Sequence, residues 1–105
     1  MRLTPAERDA ITTAARAIWG YGVRVSLFGS RTDNAARGGD IDLLVKPPTA
    51  PTPVQWVAQR GEFVGRLYAS IGERRIDVLL DDEHTGVPSD VILSARRQAL
   101  PLAAP

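Results

Sequence analysis

Two aspartates stand inside an otherwise apolar run, Asp40-Ile41-Asp42-Leu43-Leu44-Val45, and this run restricts the folds open to the chain more than any other segment. Ile41, Leu43 and Val45 alternate with Asp40, Asp42 and Leu44, which predicts a β-strand. Its period of two puts both carboxylates on one face, with Cα atoms about 7 Å apart. Aspartate is depleted from strands, and two converging carboxylates repel each other and lose hydration. The strand therefore needs either a solvated face on that side or a cation between the acids. Mg²⁺ meets the second need, since it takes hard oxygen ligands and shares them with substrate phosphates. At this point both readings stand.

The elements around this strand follow from local chemistry. Thr4-Pro5 with Glu7 forms a capping-box pattern, and apolar Ala10, Ile11, Ala14, Ala15, Ile18 and Trp19 recur at helical spacing, which predicts a helix over 5–19 closed by Gly20-Tyr21-Gly22. Val23 to Phe28 alternates as a first strand and stops at Gly29-Ser30. Residues 31–39 carry no periodic apolar face. Four prolines between Lys46 and Pro53 predict a surface loop. Val54 to Ile71 repeats apolar residues every three to four positions up to Gly72, a second long helix. Arg74 to Leu80 reads as a third strand, Asp81-Asp82-Glu83-His84 as a solvated turn, Pro88 to about Ala99 as a last helix, and Leu100 to Pro105 as a tail. The expected class is a single α/β (α+β) domain over residues 1–105, with a mixed sheet of three or more strands packed by helices on one face. A helix between the second and third strands favours a parallel crossover for that pair.

Composition narrows the chemistry. The chain of 105 residues has no cysteine and one histidine, His84, which excludes thiolate metal sites, cysteine nucleophiles and any mechanism that needs two imidazoles. Carboxylates, hydroxyls and arginine remain. Of 13 basic residues 12 are arginine and only Lys46 is lysine, a bias that suits bidentate phosphate contacts and also fits a GC-rich genome. A net charge of +1 supplies no global attraction to nucleic acid or to an anionic membrane, so no direct nucleic-acid binding is expected. With no apolar run of membrane-spanning length and no signal-type N-terminus, a cytoplasmic location is expected.

Two further features could join the acidic pair. Gly29-Ser30 after a strand can present free N–H donors to phosphate, although such a pair is also an ordinary turn. Asp77 lies inside an apolar strand, opposite Ile76 and Val78. If its strand lies beside that of Asp42, the three acids could hold two metal ions about 3.5–4 Å apart, the arrangement used in phosphoryl and nucleotidyl transfer. Trp19, Trp56 and Tyr68 sit at helical positions as core or interface residues, and Leu100-Pro101-Leu102 is a further interface candidate.

Phe28-Gly29-Ser30, nine residues, Asp40-Ile41-Asp42-Leu43 and the later Asp77 together resemble the signature of nucleotidyltransferases of the DNA polymerase β superfamily. The resemblance spans roughly residues 5–100, and the short chain is similar to the minimal (MNT) branch, often encoded as the antitoxin beside a HEPN-domain ribonuclease toxin. It implies that Gly29 and Ser30 hold the β and γ phosphates of ATP, that Asp40 and Asp42 bind two Mg²⁺ ions, and that Asp77 ligates the catalytic metal and helps deprotonate the attacking hydroxyl. Arg31, and less directly Arg37, would add positive charge at the triphosphate. Gly38-Gly39 stand where many members of that superfamily carry a serine or another side chain. The implied function is Mg²⁺-dependent transfer of AMP from ATP to a hydroxyl side chain of a partner HEPN toxin. Alternatives are transfer to a small hydroxylated molecule such as an aminoglycoside, and a non-catalytic module that neutralises a toxin by occlusion.

Overall fold

The computed structural model describes residues 3–27, 41–81 and 100–103. The elements run α1 (Pro5–Trp19), β1 (Arg24–Leu27), β2 (Ile41–Lys46), α2 (Pro53–Ile71), β3 (Ile76–Leu80) and β4 (Leu100–Ala103). Both helices begin on the same device. The Thr4 hydroxyl accepts from the Glu7 N–H while the Glu7 carboxylate accepts from the Thr4 N–H, and Thr52 and Gln55 repeat the exchange at α2. In each case proline follows the cap, where its missing N–H costs nothing. Both helices end at glycines of positive φ, Gly20 at 85° and Gly72 at 87°.

The sheet has the order β3-β2-β1-β4. β1 pairs antiparallel with β2 and β4, whereas β2 and β3 are parallel and joined through α2, as the crossover expectation requires. One face carries Val25, Leu27, Ile41, Leu43, Val45, Ile76 and Val78, and against it pack Ile11, Ala14 and Ala15 of α1 with Phe63 and Leu67 of α2. At the end of α1, Trp19 lies 5.2 Å from Phe63 and 6.0 Å from Trp56 between ring centroids, and its Nε1 donates to Gln59 Oε1 at 2.9 Å. Burial of the indole is thus compatible with its N–H.

Three expectations are corrected. Pro53 belongs to α2 as its first residue rather than to the loop before it. Leu100–Ala103 is an edge strand, not a tail, and Leu102 is 6% exposed within the core rather than available as an interface. Trp56 is half-buried and stacks on Trp19, within the core-or-interface expectation for it. Asp81 was expected in a solvated turn and is buried, its N–H donating to Val45 O at 2.7 Å and so extending the β2–β3 ladder by one step. Tyr68 does remain 38% exposed. His84 and the helix expected over 88–99 lie outside the described residues.

Candidate active site

The second face of the sheet is set by the residues between the core positions. Along β2 these are Asp42, Leu44 and Lys46, and along β3 they are Asp77 and Leu79. The parallel register pairs Asp42 with Asp77 and Leu44 with Leu79. Two carboxylates therefore stand side by side on adjacent strands, whose spacing is about 4.8 Å. Asp42 is half-buried, and the Asp77 side chain is 48% exposed. Behind them Leu44 is 5% exposed while lying apart from the helix-facing core, so this face is not uniformly solvated.

The strand directions decide what else meets this pair. Leu27 pairs with Leu43, so β1 runs out at the sheet end where Asp42 and Asp77 lie, and the chain continues from there into Phe28-Gly29-Ser30. Asp40 immediately precedes Ile41, whose N–H donates to the Arg75 carbonyl at 2.9 Å. Gly29, Ser30, Arg31, Arg37 and Asp40 themselves lie outside the described residues. Of the expected site residues, Asp42 and Asp77 are thus brought together, at the sheet end where β1 stops.

Charge near the pair comes from the chain entering β3. Arg75 Nε stands 3.6 Å from Asp77 Oδ2, with the Arg75 side chain 72% exposed. Its neighbour Arg74 turns the other way, donating to the Glu7 carboxylate and, at 2.8 Å, to the Ile71 carbonyl at the end of α2. Burial pushes the Glu7 carboxyl up, but the Thr4 N–H and the Arg74 charge outweigh it and hold the group below its ordinary value. Arg75 had not been picked out as a site residue. Its signal is its position two residues before Asp77, where strand alternation puts both on one side.

Two carboxylates on one face are a hard-oxygen donor set suited to Mg²⁺, and their mutual repulsion is relieved by such an ion. Among the described residues no group of three His, Cys, Asp or Glu side chains gathers.

Comparison with solved structures decides the fold. One match is a chain of the MntA-HpeT toxin–antitoxin complex bearing two Asp-to-Glu substitutions, with a TM-score of 0.68 and 17% identity over 93% of this chain and 73% of that one. A toxin–antitoxin complex with AMP-PNP matches at a TM-score of 0.69 and 19% identity over the same shares. The chain has a nucleotidyltransferase-like fold. No protein-family model and no curated protein matches the sequence. In this nucleotidyltransferase fold the acidic positions of β2 and β3 share the end of the sheet at which β1 gives way to the Gly-Ser segment. Among the described residues no helix is long and apolar enough to cross a membrane.

Proposed function

We propose that this chain is a Mg²⁺-dependent nucleotidyltransferase that moves AMP from ATP onto a hydroxyl side chain of a HEPN-type toxin in the cytoplasm, and so acts as its antitoxin. The observation that carries the reading is the Asp42–Asp77 register pair at the sheet end where β1 leads into Gly29-Ser30. The neighbours add support. One is a toxin–antitoxin complex with AMP-PNP, and the two substituted aspartates of the other are two positions apart, the same spacing as Asp40 and Asp42.

Asp40, Asp42 and Asp77 would hold the metal, which when bound supplies Lewis-acid stabilisation of the transferring phosphate. The N–H groups of Gly29 and Ser30 and the Arg31 guanidinium would bind the triphosphate and aim its α-phosphorus at the acceptor. The carboxylate of Asp77 would help take the proton of the attacking hydroxyl. The new oxygen–phosphorus bond forms as the bond to pyrophosphate breaks, leaving AMP on the acceptor and pyrophosphate free. Incubating the protein with its operon neighbour, ATP and Mg²⁺ should add the mass of one AMP moiety per transfer to that neighbour. Efficient labelling of an aminoglycoside with no adduct on the protein would replace this reading with the small-molecule one.

A further inference from the structure

We propose that Arg75 is a positioning residue that stands in for a cation beside Asp77 in the metal-free protein and gives up that place when a divalent ion loads, a role that rests on the proposed metal site. Its backbone is fixed before its side chain is considered. The Arg75 carbonyl accepts from the Ile41 N–H at 2.9 Å, which ties it to the first residue of β2, between Asp40 and Asp42. The preceding Arg74 is bound to Glu7 and to the end of α2, so the dipeptide is held with Arg74 toward the helices. Arg75 is left beside Asp77 at 3.6 Å, next to a carboxylate whose register partner is a second carboxylate.

Two adjacent carboxylates repel. A guanidinium at one of them offsets part of that repulsion, while a divalent ion at the same oxygens would bring twice the charge and would itself repel the guanidinium. The ion pair is exposed, with side chains 72% and 48% accessible, so it is easily broken. An exposed pair of this kind corresponds to a factor of about two to five in an equilibrium constant. Arg75 thus fits a weak competitor rather than a permanent block, and after displacement its flexible side chain remains at the rim of the acidic site.

The test is Mn²⁺ binding to the full chain without nucleotide, read from the electron paramagnetic resonance signal of the free ion, Mn²⁺ being a hard-oxygen substitute for Mg²⁺. R75Q should bind Mn²⁺ about two- to fivefold tighter than the natural chain, and R75K, which keeps the charge, should stay close to it. R24Q should change nothing, because Arg24 pairs with Lys46, four residues along β2 from Asp42 and beyond the Debye length of about 8 Å at physiological salt. Thermal melts confirm that each variant is folded. Binding that D77N abolishes but R75Q leaves unchanged or weakens overturns the role of Arg75 alone. Mn²⁺ left free by both the natural chain and R75Q removes the metal site, and the proposed function falls with it.

Discussion

The guanidinium of Arg74, two residues ahead of β3, donates to the carboxylate of Glu7 and so joins the approach to that strand to the capping box that opens α1, 67 positions earlier. Glu7 has two tasks, since its carboxylate also accepts the Thr4 N–H. One residue holds the helix start and the approach to the acidic site in a single network. Networks of this kind cost more to cut than isolated surface pairs, because each partner left behind is partly buried.

Glu7 should therefore make stability depend on pH in a defined direction. Its carboxyl is held below the ordinary value of 4.5, so the folded state favours the ionised form. The resulting stability is fully present above the unfolded value and is lost as pH falls through the folded one. E7Q retains an acceptor for the Thr4 N–H and lacks only the charge. Urea unfolding should find E7Q about 1–2 kcal/mol less stable at pH 7, with the gap narrowing as the pH falls below 4.5. A gap independent of pH would show that packing rather than charge sets the contribution of Glu7.

At the acidic pair, stability and function should separate. Asp42 and Asp77 stand side by side in register, so D42N removes repulsion as well as a proposed metal ligand. Its melting temperature should stay the same or rise slightly while transfer of labelled AMP disappears. D77N should keep ATP–Mg²⁺ binding, measured by calorimetry, and lower the turnover, since this residue is assigned to the attacking side. Near-normal transfer by D42N, or complete loss of nucleotide binding in D77N, would contradict that division of roles.

Leu102 provides a test of the fourth strand. It is 6% exposed in the core, and β4 pairs with β1 through Leu27–Leu100 and Ser26–Pro101 before the register shifts. L102A should cost about 2–4 kcal/mol in equilibrium unfolding, the range for truncating a buried leucine. A change within about 0.5 kcal/mol would mean that Leu102 lies on the surface.

Much of this architecture was legible from short-range chemistry. Thr4-Pro5 with Glu7 set the start of α1, and alternation around Asp42 and Asp77 placed each carboxylate on the face away from the core. The same Thr-Pro pattern with a polar residue at the third position recurs at Thr52-Pro53 and Gln55, where the surrounding prolines hid it. β4 was obscured because Pro101 has no N–H to give a ladder, a loss that an edge strand next to a register shift tolerates. Local sequence could not supply the burial of Asp81, which follows from the parallel pairing of β2 and β3. The register that sets Asp42 against Asp77 has the same origin, since it is fixed by how α2 carries the chain back across the sheet.

Two glycines of α2 allow the free chain to be stabilised without touching the acidic site. Gly61 and Gly65 lie in the helix interior, and a Cβ added at either would meet nothing within 4 Å. Neither has positive φ, unlike Gly20 and Gly72, and neither resembles Gly22, where an added Cβ would come 2.9 Å from Pro48. Glycine in a helix interior costs about 0.8–1.0 kcal/mol relative to alanine, largely through the freedom of the unfolded chain. G61A and G65A should each raise unfolding stability by about 0.5–1 kcal/mol. On the scaling for domains near this size, each gain corresponds to a melting temperature higher by roughly 2–8 °C. Mn²⁺ affinity should not move in either variant, because α2 packs on the opposite face of the sheet from Asp42 and Asp77. A loss of stability in both variants would mean that the outer face of α2 is packed against something that alanine disturbs.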